Sequence, residues 1–173
     1  MDETLLSAVQ DHEERFHERS SSLYMPVDLE LVQEVKETGR KRTTLITFRP
    51  QMFEFLEALK EKFNIFIYTA GTQDYAEPIL NYIDSEGEIF SGKLYRHNCV
   101  QVGRFYVKDL QIISEVFGVQ KENILLLDNS LLSFTLCMDQ GIPIPDFNGE
   151  AEEVEDRELE FAAQYIFDLF EEE

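Results

Sequence analysis

Phe63-Asn64-Ile65-Phe66-Ile67-Tyr68-Thr69-Ala70-Gly71 is a short apolar run that breaks off into small and polar residues. Such a run is too short for a buried helix, and its lack of alternation predicts a strand covered on both faces, as in a parallel sheet. The same pattern returns downstream. Ile124 to Leu127 predicts a second buried strand that stops at Asp128-Asn129-Ser130, and Ile142-Pro143-Ile144 predicts a third, shorter one. Helical segments fall between and around them. Asp74 to Tyr82 is expected to turn Leu80 and Ile83 inward, and Leu110 to Phe117 is stopped by Gly118. Arg49-Pro50 opens an earlier helix, with Phe53, Phe55, Leu56 and Leu59 expected on one side. Glu158 to Phe170 reads as an amphipathic last helix whose Phe and Leu stripe is core. Strands and helices that alternate in this way define an α/β protein with a parallel sheet. In such sheets ligands bind where the strands end at their carboxyl side.

Two regions depart from that alternation. Val27, Leu29 and Leu31 alternate with Asp28 and Glu30, Glu37-Thr38-Gly39-Arg40 supplies a turn, and Thr43 to Phe48 is rich in β-formers. Residues 26–48 are therefore expected to form a two-stranded antiparallel hairpin. Residues 2–22 are polar and charged and are expected to be loop or short helix, while 89–107 holds two short extended stretches around Gly92 and Gly103.

Composition narrows the partners. A formal net charge of −20 repels phosphate backbones and anionic bilayers, so neither nucleic acid nor membrane is an expected partner. Much of that charge falls after residue 149, where Arg157 is the one opposing cation. It reads as the solvated face of an acidic C-terminal helix at about 156–170. Cys99 and Cys137 have no paired spacing, which fits a reducing, nuclear or cytoplasmic setting. With 173 residues, a single domain is expected over 1–173.

Taken one at a time, the chemical candidates have plain structural readings. Asp128-Asn129-Ser130 suits a helix cap, Thr69 a strand end, Lys108 a surface lysine and Asp2 an acidic terminus. Their order and placement give them more weight. Asp2, Thr69, Lys108 and Asp128-Asn129 together supply carboxylates, a hydroxyl donor, a fixed positive charge and hard oxygen ligands, which is the set phosphoryl transfer needs. Mg²⁺ takes oxygen donors and few of them from protein. His12-Glu13 and His17 are five apart rather than four and miss the same-face spacing of a zinc pair. His97 reads as a hydrogen-bonded structural histidine.

Several stretches carry a family resemblance. They are Asp2-Glu3-Thr4-Leu5, Phe53-Glu54-Phe55-Leu56, Ile67-Tyr68-Thr69-Ala70, Tyr75-Ala76-Glu77-Pro78, Tyr95-Arg96-His97-Asn98-Cys99, Tyr106-Val107-Lys108-Asp109-Leu110, Leu127-Asp128-Asn129-Ser130 and Gly141-Ile142-Pro143-Ile144. As a set they resemble the small C-terminal-domain phosphatases, the NLI-interacting factor-like branch of the haloacid-dehalogenase superfamily. The resemblance implies a Rossmannoid parallel sheet with a hairpin insert at 26–48 that lines a substrate groove. It implies Asp2 as general acid and base and as a Mg²⁺ ligand through its carbonyl. Thr69 would hold the transferring phosphoryl group, and Lys108 would neutralise it. Asn129 would bind Mg²⁺ through its side chain, with Asp128 beside it. Arg96 and Thr4 would lie at the substrate. The implied substrate is phosphoserine or phosphothreonine in a flexible segment, such as the tail of RNA polymerase II.

The same resemblance puts the family's nucleophilic Asp, and the central strand that carries it, ahead of Met1. A chain starting at Met1 is therefore expected to fold poorly and to be inactive, since no aspartyl-phosphate forms without a carboxylate nucleophile. An upstream coding segment left out of the sequence is the expected account. The competing expectation is a pseudophosphatase or scaffold that keeps the groove and binds a phosphoprotein without turnover.

Overall fold

The structure is a computed structural model and describes residues 1–11, 16, 18–19, 21–35 and 38–171. His12, Glu13 and His17 lie outside the described residues, as do the last two glutamates of the acidic run. The chain divides into two compact units. One comprises Met1 and residues 56–145, and the other residues 2–55 and 146–173.

The first unit contains the parallel pairings. β4 (Ile65–Tyr68) pairs in parallel with β5 (Phe90–Leu94), and β8 (Leu126–Asp128) pairs in parallel with β9 (Gly141–Pro143). The expected parallel strands are thus present as two separate pairs among the described residues. α2 (Gln73–Ile83) buries Ala76, Ile79, Leu80 and Ile83, spaced at i, i+3, i+4 and i+7 on one face. Ile79, Leu80 and Ile83, so covered, contribute about 1.5–3 kcal/mol each. The stretch at 89–107 resolves into β5 and an antiparallel hairpin of β6 (Val100–Val102) and β7 (Phe105–Val107) turning at Gly103, whose φ is +61°. α3 (Gln111–Phe117) ends as its sequence indicates. Gly118 takes φ +68°, a left-handed value costly for any residue with a Cβ, and its N–H closes on the Ser114 carbonyl. A core of Tyr68, Leu94, Leu110, Ile113, Leu126 and Phe134 fills this unit. Gly141 is there for space rather than torsion, since a Cβ at that position would sit 2.6 Å from the Phe134 ring.

Between α2 and β5 the chain turns around one carboxylate. Asp84 is buried and accepts from Glu88 N at 2.8 Å, Ile89 N at 3.2 Å and Phe90 N at 3.0 Å. Burial by itself would raise its pKa, but these backbone donors and Lys93 outweigh that and lower it below the usual carboxylate value.

In the second unit β1 (Leu6–Gln10), β3 (Arg40–Phe48) and β2 (Leu29–Val35) form a three-stranded antiparallel sheet in that order. The hairpin expected at 26–48 is present as β2 and β3, turning through Gly39 at φ +64°. The expectation of loop or short helix for 2–22 is corrected at Leu6–Gln10, which adds a third strand. Leu6 and Val9 are fully buried, and Ser7, also buried, donates to the Asn148 carbonyl at 2.7 Å. The polar surroundings of that segment hid a strand whose stability comes from its partner β3.

α1 (Met52–Lys60) begins after Pro50 and buries Met52, Phe55, Leu56 and Leu59. Phe53 does not join them. It lies off that face, 41% exposed, with its ring edge-on to Phe48 at 5.4 Å. In α4 (Glu158–Glu171) the core face is Leu159, Ala162 and Ile166. Phe161, Tyr165 and Phe170 are about half exposed, which corrects the reading of every Phe there as core. Helical geometry puts 159, 162 and 166 on one stripe and turns 161 and 165 to its flank.

Two buried arginines organise this unit. Arg49 is 1% exposed, donates through Nη1 to the Thr4 carbonyl at 3.1 Å, and grips Asp156 through Nε at 3.0 Å and Nη2 at 2.8 Å. Its guanidinium also lies 5.6 Å from the Phe147 ring. Arg19 donates to the Gly149 carbonyl at 3.0 Å, the Asn148 carbonyl at 2.9 Å and Ser7 Oγ at 2.5 Å.

Two outcomes follow for stability. Asp84→Ala is expected to cost about 2–3 kcal/mol at pH 7, because three backbone donors lose a charged acceptor. The lowered folded pKa means this contribution is present above the usual carboxylate range and is lost as pH falls through the folded value. Urea unfolding from pH 7 down to pH 3 should therefore show wild type and variant converging at the acid end. Asp156→Ala is expected to cost about 3–5 kcal/mol by leaving the Arg49 guanidinium buried without its carboxylate. In a denaturation cycle, Arg49→Met combined with Asp156→Leu should lose much less than the two single losses added together.

Candidate functional site

The site residues of the first unit gather where its parallel strands end. β4 runs out at Tyr68 and Thr69, and Thr69 is 2% exposed. Its Oγ1 accepts the Gly71 N–H at 3.0 Å, which leaves its own hydrogen free to be donated to another acceptor. β8 runs out at Asp128, also buried. The Asp128 Oδ1 accepts Ser130 N at 2.8 Å, and its backbone carbonyl accepts Ile144 N at 3.1 Å just past β9. Lys108 follows β7 and is buried as well, so the expectation of an ordinary surface lysine is set aside. Its ammonium makes a short charge-assisted bond to Asp128 Oδ2 and sits 6.0 Å from the Tyr68 ring centre.

A buried lysine with a buried carboxylate is a costly arrangement that neither partner keeps alone. Burial pushes the Asp128 carboxyl up, but the Lys108 charge, the charge of the Met1 amine and hydrogen bonds from Lys108 and Ser133 prevail, and its pKa falls below the ordinary value. Lys108 Nζ is thus held at a strand end with the Asp128 carboxylate behind it.

Tyr68 and Cys99 join this group, although neither was assigned a role from sequence. The Tyr68 hydroxyl donates to the Asn98 carbonyl at 2.6 Å and accepts from Asp109 N at 3.3 Å. Burial pushes its pKa up to about 12. Cys99 Sγ lies 3.7 Å from the Thr69 carbonyl. Burial raises its thiol pKa, opposed by the nearby Lys108 charge. The signal for Tyr68 was its place in sequence, directly before Thr69 at the end of an apolar run. Cys99 lies thirty residues on in the chain, and no local pattern brings it to Thr69.

Arg96 lies beside the same loop. Its backbone N–H donates to the Gly71 carbonyl at 2.9 Å and its Nε to the Ala70 carbonyl at 2.6 Å. Asn129 is half-buried after Asp128. Asp2 and Thr4 belong to the second unit. Asp2 is half-buried and bridges to Leu6, and Thr4 is 2% exposed, its carbonyl taken up by Arg49.

Among the described residues no cluster of three His, Cys, Asp or Glu side chains could hold a metal ion. The donors after β8 nonetheless suit Mg²⁺, being the Asp128 carboxylate and the Asn129 amide, both hard oxygens in a set sparse enough for an ion that keeps its waters. Since Lys108 and Ser130 N already occupy the Asp128 oxygens, that carboxylate is suited to act from behind a ligand or through water.

The chain is similar to solved structures and to named relatives. The essential RNA polymerase II CTD phosphatase Fcp1 superposes over 95% of this chain and 47% of its own, with a TM-score of 0.63 at 18% identity. The fold is therefore that of the haloacid-dehalogenase-like phosphatases. A model of NLI interacting factor-like phosphatases matches residues 1–172, and the chain belongs to that family. Nuclear envelope morphology protein 1 of Schizosaccharomyces pombe is 30% identical over 124 residues, covering 70% of this chain and 25% of that protein. CTD small phosphatase-like protein 2 of Dictyostelium discoideum is 37% identical over 111 residues, covering 64% of this chain and 18% of that protein. The human carboxy-terminal domain RNA polymerase II polypeptide A small phosphatase 1 is 31% identical over 124 residues, covering 71% and 46%. The chain thus spans less than half the length of each of these relatives.

The Lys108 ammonium should be detectable at Cys99. Lys108→Met is expected to slow iodoacetamide alkylation of Cys99 at pH 8.5 by about two- to threefold, because the thiolate loses a favourable charge. An unchanged rate in a variant with native circular dichroism would place the ammonium elsewhere.

Proposed function

We propose that residues 1–173 form one domain of a Mg²⁺-dependent phosphoserine or phosphothreonine phosphatase. The supporting observation is the buried Lys108 ammonium, fixed by Asp128 at a strand end in a chain of a phosphatase family. Thr69, with Oγ1 already accepting from Gly71, donates its hydroxyl hydrogen to a phosphoryl oxygen. Lys108 neutralises charge that grows on the phosphoryl oxygens as the ester bond breaks. Asn129 ligates Mg²⁺ with Asp128 behind it, and the ion, when bound, spreads the same negative charge. Asp2 takes the general acid and base role, handling the proton of the leaving group. The two-step family reaction uses an aspartyl-phosphate, and no residue of this chain is assigned as its nucleophile.

The substrate proposed is a phosphoprotein with a flexible phosphorylated segment. The relatives named for the RNA polymerase II C-terminal domain make that tail one instance. No helix among the described residues is long and apolar enough to cross a membrane.

The test is hydrolysis of p-nitrophenyl phosphate by this chain and by the same chain carrying an added apolar strand that ends in Asp directly before Met1. The extended chain is expected to turn over with Mg²⁺. Asn129→Ala in the extended chain should raise the Mg²⁺ concentration needed for half-maximal rate by about tenfold or more. Inactivity of both, with phosphopeptide binding retained, would favour the scaffold reading instead.

A further inference from the structure

An open groove of about 400 Å³ lies on the first unit beside the Thr69 loop, lined by Thr72, Gln73, Arg96, His97, Gln101 and Tyr106 along with Cys99. In a chain carrying 35 acidic residues against 15 Lys and Arg, its lining includes no carboxylate. Asp74, Glu77 and Asp109, all within four positions of a lining residue, are not part of the lining, and Glu77 accepts from Gln73 Nε2 at 2.7 Å. Arg96 is the charged group of the groove. Its Nε is held by the Ala70 carbonyl, and its guanidinium lies 5.1 Å from the Tyr106 ring centre. Clamped on one edge and backed on one face, the guanidinium presents its Nη donors at low entropic cost. The groove also opens at the start of α2, where Thr72 caps without a side-chain hydrogen bond.

From this geometry we infer that the groove binds a second anionic group on the same phosphopeptide, a phosphoryl group in preference to a carboxylate, and so selects multiply phosphorylated segments. The inference rests on the phosphopeptide reading above and adds a specificity to it. Arg96 is tied to the residues one and two after Thr69. In an extended peptide at roughly 3.3 Å per residue, the second anion therefore falls two or three residues from the phosphoserine at Thr69. The whole-protein field works against such a ligand, because a net charge of −20 repels the more highly charged peptide. Tighter binding of that peptide cannot come from bulk electrostatics and has to come from a local site.

The experiment is fluorescence anisotropy on this chain without added Mg²⁺. The peptides are one with a single phosphoserine in an alanine context, the same with a second phosphoserine at +2 or +3, the same with glutamate there, and an unphosphorylated control. The doubly phosphorylated peptide is expected to bind about three- to tenfold tighter than the singly phosphorylated one, with the glutamate peptide between them. Arg96→Gln should abolish the preference, and Arg96→Lys should retain part of it. Gln101→Glu leaves Arg96 in place, puts a carboxylate in the groove, and should reverse the preference. Equal or weaker binding of the doubly phosphorylated peptide would overturn the inference, as would a preference that survives both Arg96→Gln and Gln101→Glu. If no phosphopeptide binds better than the control, the phosphopeptide reading falls with it. If single-phosphate binding is retained and only the preference is missing, the groove assignment alone falls.

Discussion

Lys108 and Asp128 are both withdrawn from water, and a buried unpaired charge of either sign would cost several kcal/mol, so each requires the other. Much of the first unit is arranged around this requirement. Asp128 ends β8, its carboxylate receives Ser130 N on the oxygen that Lys108 leaves open, and its carbonyl fastens the chain leaving β9. Lys108 stands at the end of the β6–β7 hairpin, near the face of Tyr68, which is itself tied to Asn98 and Asp109. A cation that is to meet an anionic ligand is useful only if it is held before the ligand arrives. The ion pair holds it there, and the surrounding backbone bonds keep the pair from relaxing toward solvent.

What could be read from the sequence was what local patterning dictates. Apolar runs that stop in Tyr68-Thr69 and Asp128-Asn129 marked the buried parallel strands, because strands covered on both faces leave no alternation to misread. Gly118 marked a helix end because a left-handed residue there favours glycine. The features that escaped depend on partners distant in sequence. Leu6–Gln10 is a strand because β3 is beside it, and the segment's own residues give weak propensity for one. Lys108, a surface type by composition, is buried because Asp128 lies twenty residues away. Arg49 and Asp156 are 107 positions apart, and no local rule pairs them. Phe53 and Phe161 show the converse limit, since apolar character alone could not say which flank of a helix would be covered.

Charge is unevenly distributed over the molecule in a way that bears on recognition. Glu160, Asp168 and Glu171 of α4 are exposed, whereas Asp156 before it is taken up by Arg49, and Arg19 is absorbed by carbonyls and a hydroxyl. Positive charge that is both fixed and accessible is correspondingly rare. Arg96 provides it beside the Thr69 loop, while the fixed charge of Lys108 lies in the interior. A polyanionic ligand that is repelled by the net charge of the chain would thus find a fixed cation at this loop, which converts an unfavourable field into orientation.

The contact between Gly141 and Phe134 has a consequence on an evolutionary scale. The ring occupies the space in which any other residue at 141 would place its Cβ, so the two positions form a lock with one key. Lineages that keep a large aromatic at 134 are held to glycine at 141, and release at 141 requires a smaller neighbour to have arisen first. Since β9 pairs with the strand that carries Asp128, a misordered pair of changes would be felt at the site before it was felt anywhere else. The history of this corner should therefore be one of correlated replacement rather than independent drift.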